Sequence, residues 1–326
     1  MQRGLVEIVD LRKHYPLSFG FVERFAGSAK TIKALNGLNL SIYKGETIGL
    51  VGESGCGKST LGRIIMGIEK PTEGFVSFNG RRMDDLKTKT EMKAMRKKMQ
   101  MVFQNPASTL DPRMTLHQVL SEPFEIHYKL TRKELDRRIG ELLEMVGLHY
   151  GDSKKLSGEF SDGQKQRIAL IRALSLDPEF IVADEPVSAL DVSVQAQVLN
   201  LMKGLQKQMH LTMLFISHDL KIVRFLSDRI AVIYLGKIVE LGPSEEFFEN
   251  SHHPYSKGLL SSILDITPGL NSSQFKIKAD VPVSQIDIPE GCVFHMKCYE
   301  TRDRCKELVP ELKEVSQGHW VACTEV

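Results

Sequence analysis

The stretch that most restricts this chain is Gly52-Glu53-Ser54-Gly55-Cys56-Gly57-Lys58-Ser59-Thr60, which follows the apolar run Thr47-Ile48-Gly49-Leu50-Val51 and precedes an amphipathic helix pattern. A strand that ends in a glycine loop turns successive backbone N–H groups inward, and the helix behind it adds its positive end. Such a loop suits a polyphosphate. The spacing G-x-x-x-x-G-K-S places Lys58 to reach β- and γ-phosphates and the Ser59 hydroxyl to reach Mg²⁺. Glycines are needed because Cβ atoms would hold a phosphate away from the backbone. Cys56 reads as a small residue filling a tight turn, since its thiol is not required by the phosphate chemistry.

At 326 residues the chain exceeds the size at which one core keeps growing, so a large domain with a smaller appendage is expected. A formal net charge of +2 argues neither for nor against a nucleic-acid partner. No apolar run approaches the roughly 20 residues that span a bilayer, and the start Met1-Gln2-Arg3-Gly4-Leu5 lacks a secretory h-region, so a cytoplasmic chain is expected.

Changes of period give the organisation. Leu5–Val9 and Leu38–Ile42 read as strands ahead of the buried strand at 47–51, which makes the N-terminal part β-rich. Between them, His14 to Lys30 carries Phe19, Phe21 and Phe25 without clean periodicity and reads as a long hairpin loop or insertion. From about 105 to 175 the chain turns helical and charged, with Leu135, Ile139, Leu142, Leu143 and Val146 on one face, as in an inserted helical subdomain. Phe180–Ala183 and Met213–Ile216 are strongly apolar strands of a parallel sheet with crossover helices. Arg229–Tyr234 and Lys237–Glu240 flank Leu235-Gly236 as a hairpin. After Leu264, the segment Asp265 to Gln274 has loop chemistry, which places a boundary between a domain of residues 1–264 and an extension of residues 265–326.

The strand Phe180-Ile181-Val182-Ala183 ends in Asp184-Glu185-Pro186. Two carboxylates at the carboxyl end of a buried strand suit metal holding by Asp184 and water activation by Glu185 as general base. Adjacent strand residues point to opposite faces, so both acids serve one site only where the strand is ending.

With these residues in hand, the chain resembles the ATPase subunits of ABC transporters from about Leu5 to Leu264. The resemblance implies an α/β fold of the P-loop NTPase type, a RecA-like core with a β-rich N-terminal part and an inserted helical subdomain. It matches Gln104, after Met99–Phe103, to the Q-loop glutamine that touches Mg²⁺ or the attacking water. Ser188-Ala189-Leu190-Asp191 matches the D-loop, and His218 in Ser217-His218-Asp219 matches the switch histidine that contacts the γ-phosphate. Tyr15 in Lys13-His14-Tyr15-Pro16 is the best match to the aromatic residue that stacks on adenine, with the phenylalanines of the insertion as competitors.

The family signature, usually L-S-G-G-Q, falls at Phe160-Ser161-Asp162-Gly163-Gln164, and Leu156-Ser157-Gly158-Glu159 upstream is a decoy. In the family each signature faces the γ-phosphate of a second ATPase domain docked head to tail. That implies a nucleotide-contacting role for Ser161, Gly163, Gln164 and Asp191. Asp162 departs from the pattern. A negative charge about 4 Å from a phosphate charge costs roughly 1 kcal/mol in water and about 4 at an effective dielectric of 20. The expectation is an asymmetric heterodimer whose site at Asp162 hydrolyses ATP poorly. The plainer alternative is that Ser161 and Asp162 cap the helix, with Asp162 turned to solvent.

Val51–Ser59, Ala189–Gln197 and His253-Pro254-Tyr255-Ser256 resemble the oligopeptide/dipeptide importer subfamily, as does the tail Gly291–Cys298, Cys305 and Gly318–Cys323. Nickel importers share much of this text and stand as a substrate alternative. Cys292, Cys298, Cys305 and Cys323 are separated by five, six and seventeen residues, which is no zinc-ribbon spacing. The subfamily's tail implies a [4Fe–4S] cluster, with zinc or free structural cysteines as alternatives; a cluster would staple a tail too small for its own core. His252, His253 and His295 read as loop or packing residues.

The resemblance implies ATP and Mg²⁺ as cofactors. It implies a peripheral place on the cytoplasmic face of the inner membrane, beside two transmembrane permease subunits, a second ATPase subunit and an extracytoplasmic substrate-binding protein, without nucleic acid. A soluble ABC-type ATPase acting on ribosomes or DNA is the rival; such chains carry two nucleotide domains or a coiled coil between the Walker motifs. Here 126 positions separate Lys58 from Asp184 without heptads.

Overall fold

The computed structural model describes residues 3–17, 30–264 and 284–326. Two compact units emerge: Met1–Asp84 with Ile216–Val326, and Asp85–Phe215. The first unit begins with β1 (Val6–Pro16), β2 (Thr31–Ile42), β3 (Thr47–Val51), α1 (Lys58–Ile65), β4 (Glu73–Phe78) and β5 (Arg81–Arg82). An antiparallel sheet runs β2-β1-β4-β5. The first two strands are longer than the sequence pattern suggested, because bulged pairing carries β1 and β2 on to Pro16 and Thr31. Bulges break strict alternation, so periodicity alone underestimates such strands. Of the expected insertion, His14 to Pro16 is strand, and residues 18–29, including Phe19, Phe21 and Phe25, lie outside the described residues.

The second unit holds α2 (Lys89–Lys98), β6 (Met99–Val102), α3 (Leu116–His127), α4 (Arg132–Met145), α5 (Asp162–Leu174), β7 (Phe180–Asp184), α6 (Val192–Met209) and β8 (Thr212–Ile216). Four of its helices open on a Ser or Thr whose side chain and N3 partner cap each other, at Thr88, Thr115, Thr131 and Ser161. The expected helical face is a core: Ile139, Leu142, Leu143 and Val146 are buried with Leu116, Leu120, Phe124, Phe160 and Ile168. Each such side chain contributes roughly 1.5–3 kcal/mol by leaving water. The strands run β8-β7-β6, with β6 and β7 parallel.

The first unit resumes with α7 (Leu220–Leu226), β9 (Arg229–Tyr234), β10 (Lys237–Pro243), α8 (Ser244–Glu249), α9 (Pro254–Leu264), α10 (Arg304–Glu307), β11 (Lys313–Ser316) and β12 (His319–Val321). β9 lies parallel to β3 and forms the expected hairpin with β10 through Leu235 (φ 44°) and Gly236 (φ 75°). The C-terminal segment adds β12 to the outer edge of β10, so part of the tail is sheet. The expected linker from Asp265 to Gln274 lies outside the described residues. Among the described residues, no helix is long and apolar enough to cross a membrane.

Candidate nucleotide site

In the first unit every residue of β3 is buried, which fixes where the glycine loop begins. A Cβ at Gly52 would stand 2.2 Å from the Ile233 carbonyl oxygen, and one at Gly57 would stand 2.3 Å from that of Ala34. Gly57 also has φ 110°, a left-handed conformation that side chains rarely adopt. It opens α1 without any side-chain cap, so the first-turn N–H groups have no side-chain acceptor from Gly57.

The Lys58 ammonium is buried over the loop, donating to the carbonyls of Gly52 at 2.8 Å and Glu53 at 3.0 Å. Both acceptors are neutral dipoles, which an anion's oxygens could replace at a gain in charge complementarity. Cys56 is buried as expected of a turn filler; burial pushes its thiol pKa up, and nearby Lys58 opposes that only in part. Ser54 and Gly55 are exposed, and Ser59 and Thr60 are half-buried at the head of α1.

Tyr15 stands on β1, and its hydroxyl donates to the Glu69 carboxylate. Burial, followed by that bond, raises the phenol's pKa, while the Thr60 hydroxyl acts in the opposite sense, which sets Tyr15 beside the head of α1. The Lys13 ammonium lies 4.9 Å from the Tyr15 ring centroid. The Ser217 N–H reaches the Leu50 carbonyl at 3.2 Å, holding the turn of His218 next to β3. Ser217 accepts from the Asp219 N–H, and Asp219 caps α7 by accepting from Lys221 and Ile222, which leaves His218 as the exposed residue of a fixed turn.

Three contacts on the loop escaped the sequence reading because they join residues far apart in the chain. The Glu53 N–H donates to the Tyr255 hydroxyl at 2.9 Å, the Gln285 amide donates to the Gly55 carbonyl, and Lys297 pairs with Glu53 at 3.7 Å. A cavity of about 330 Å³ lies there, lined by Ser54, Gly55, Tyr234, Gln285 and Lys297 among others.

In the second unit Asp184 is buried at the end of β7, and the chain turns at Glu185 with φ 45°. A non-glycine residue there costs on the order of 1–3 kcal/mol. That turn breaks the strand alternation, as two acids serving one site require. The Gln104 amide, just past β6, donates to the Glu185 carboxylate at 3.0 Å, so these two expected residues come together. Ser188 donates from both its N–H and its hydroxyl to the Glu185 carbonyl, fixing the turn. Asp191 is the exposed N-cap of α6 and makes no side-chain capping bond.

Ser161 caps α5 by accepting from the Gln164 N–H, and the Gln164 side chain returns a bond to the Ser161 N–H at 3.0 Å. A Cβ at Gly163 would meet the Val194 side chain at 2.4 Å, so this glycine permits α5 and α6 to approach closely. Asp162 is turned to solvent, 77% exposed, with Lys165 3.6 Å away, which is the geometry of the plainer expectation within this chain. The decoy at 156–159 is a short 3₁₀ turn capped by Glu159, and the following helix opens on Ser161 rather than on Ser157.

In the tail, Cys292, Cys298, Cys305 and Cys323 line one cavity together with His253, Phe294 and Glu325. None forms a disulfide. Burial pushes Cys298 up to about 11, and Cys292 and Cys323 add to the rise. Among the described residues, no three thiols lie within 4.8 Å of one another.

A glycine loop closed over its own lysine, and a strand ending in two acids with the second in a left-handed turn, define a P-loop nucleotide hydrolase of the ABC class. Residues 35–188 match the family model of the ABC transporter, and residues 239–305 match that of the oligopeptide/dipeptide transporter C-terminal region. The chain belongs to the ATP-binding subunits of oligopeptide/dipeptide ABC transporters. It is 47% identical to the oligopeptide transport ATP-binding protein AppF of Bacillus subtilis (strain 168), covering 99% of this chain and 97% of that one. Identity is 42% to the dipeptide transport ATP-binding protein DppF of Haemophilus influenzae (strain ATCC 51907 / DSM 11121 / KW20 / Rd), covering 99% and 97%. Among solved structures, an ATP-binding cassette in a dimeric post-hydrolysis state bound to ADP and Pi superposes with a TM-score of 0.63 at 30% identity, covering 73% of this chain and 98% of that one.

Proposed function

We propose that this chain is the ATP-hydrolysing subunit of a membrane importer for di- and oligopeptides. The observation that carries the peptide reading is the match of residues 239–305 to the oligopeptide/dipeptide C-terminal region, on a chain that also holds a complete phosphate loop. Residues 1–264 serve as the nucleotide-binding domain and 265–326 as an extension.

In this reading Lys58 exchanges the Gly52 and Glu53 carbonyls for the β- and γ-phosphates, while Gly52–Thr60 and the α1 N-terminus supply N–H donors. Ser59, Asp184 and Gln104 each offer a hard oxygen, from a hydroxyl, a carboxylate and an amide, of the kind that would hold Mg²⁺. That ion would neutralise phosphate charge. Glu185, held by Gln104 until nucleotide arrives, orients the attacking water and takes its proton; His218 contacts the γ-phosphate. Tyr15 stacks on the base. Ser161, Gly163, Gln164 and Asp191 face the nucleotide of a second ATPase subunit, and Asp162 weakens closure of that site.

The partners are two permease subunits, that second ATPase subunit and an extracytoplasmic binding protein, with the chain peripheral on the cytoplasmic face of the membrane. Reconstitution in vesicles with permeases tests this: peptide-loaded binding protein is expected to raise ATP turnover. No stimulation by any peptide, or recovery with ribosomes rather than membrane subunits, overturns it.

The reading extends to an iron–sulfur cluster held by Cys292, Cys298, Cys305 and Cys323. One observation supports it: the four cysteines line one cavity. A cluster would act as a covalent staple for the tail. Iron and acid-labile sulfide, measured after anaerobic purification, are expected in the intact chain and lost in Cys298→Ser; zinc in their place refutes this extension.

A further inference from the structure

Glu240, on β10, is wholly buried. Its carboxylate accepts from His319 Nε2 at 2.8 Å, from the N–H groups of His252 at 2.8 Å and His253 at 3.1 Å, and from the Ser251 hydroxyl at 3.3 Å. A carboxylate surrounded by donors is an acceptor, so Nε2 of His319 carries its proton. The other ring nitrogen, Nδ1, is then the atom with a lone pair in the neutral imidazole. It is buried and has no hydrogen-bond partner, although the His319 side chain is wholly inaccessible to solvent. Buried polar atoms are rarely left so, and such an orphan calls for an explanation.

The surroundings supply one. Glu246 on α8, His252 before α9 and His319 on β12 each bring a ligand atom within 4.8 Å of the other two. The rings of His252 and His319 are 5.2 Å apart. Position 242 is glycine where a Cβ would stand 2.8 Å from Cδ2 of His319, so β10 makes room for this ring. An imidazole that gives its N–H to a carboxylate and keeps its second nitrogen bare is the form in which histidine binds metals, with the carboxylate fixing tautomer and orientation.

We propose that Glu246, His252 and His319, with Glu240 behind His319, form a binding site for a first-row divalent transition cation of the zinc class, which clasps the C-terminal strand to β10 and α8. Two imidazoles and one carboxylate suit Zn²⁺, Co²⁺, Ni²⁺ or Cu²⁺ rather than Mg²⁺ or Ca²⁺. Three protein ligands leave a tetrahedral ion one position for water. His252, which the sequence suggested was a packing residue, becomes a ligand. None of the four tail cysteines belongs to this group of ligand atoms.

The test uses the full chain with its tail thiols left unmodified, dialysed against chelator and titrated with Co²⁺, beside His252→Ala and Glu246→Ala. Neither variant removes a donor to the buried Glu240 carboxylate, since the His252 contact is through the backbone, so both are expected to fold. The unaltered chain should bind one equivalent with a visible Co²⁺ spectrum free of thiolate charge transfer, and Zn²⁺ should displace it and raise the melting temperature. Each variant should lose that equivalent or bind it at least about 10-fold more weakly, and lose the melting shift. No binding by the unaltered chain, or equal binding by all three proteins, overturns the proposal.

Discussion

The N-termini of α1 and α5 are the same physical object finished in two ways. α1 opens on Gly57, with a left-handed backbone and no side-chain cap, and the Lys58 ammonium folded over the loop. α5 opens on Ser161, with a reciprocal cap from Gln164 and an acid, Asp162, in its first turn. Each helix start has N–H groups without an intrahelical acceptor and a partial positive charge. α5 satisfies part of this from within, and its acid points to solvent beside Lys165. α1 satisfies less of it, at a position where the Ala34 carbonyl leaves no room for a side chain. An unfinished helix start is thus a sign of a ligand where the backbone around it enforces the incompleteness.

The comparison is most exposed to Glu185→Gln, which leaves both helix starts intact and removes the proposed base. ATP turnover of the assembled complex is expected to fall by about 10²–10⁴-fold with nucleotide binding retained. A variant as fast as the parent would mean that the loop grips nucleotide for some purpose other than hydrolysis here. Next is Lys58→Ala. Hydrogen bonds from a charged group contribute roughly 1.5–3 kcal/mol, so ATP affinity measured by titration should drop about 10- to 150-fold. Unchanged affinity would reduce α1 to an ordinary helix.

Asp162→Gly in the assembled complex should raise turnover about 5-fold, the equivalent of roughly 1 kcal/mol of removed repulsion. Equal or lower turnover would leave Asp162 as a solvated cap residue. The smallest effects separate the two starts directly. Ser161→Ala should cost about 1 kcal/mol by chemical denaturation. Gly57→Ala should cost more than that, because its Cβ meets a carbonyl and its φ is left-handed. Equal losses would erase the distinction.

Much of this was legible in order along the chain. The loop at 52–60, the acids at 184–185 and the Leu235-Gly236 hairpin are local patterns, and local patterns survive folding because backbone geometry is decided within a few residues. Gly52 and Gly57 read as phosphate glycines, and the folded chain adds a packing reason for each, since Ile233 and Ala34 crowd them. That Gln104 and Glu185 belong to one site was legible only through the family, because 81 positions separate the two, and the bond between them was not expected. The strand β12 and the burial of Glu240 beside His319 were not legible, and the convergence of four cysteines on one cavity was legible only through the family. Each depends on a tail returning to a sheet edge, and no periodicity records that return. The capping boxes at Thr88 and Thr131 were readable as T-x-x-E and went unread.

The hold of Tyr255, Gln285 and Lys297 on the phosphate loop makes that loop a shared possession of both ends of the chain. A shortened protein that stops at residue 264 would keep every motif by which such enzymes are recognised, yet would lose the Gln285 and Lys297 tethers. Its hunger for nucleotide would then be that of a different molecule.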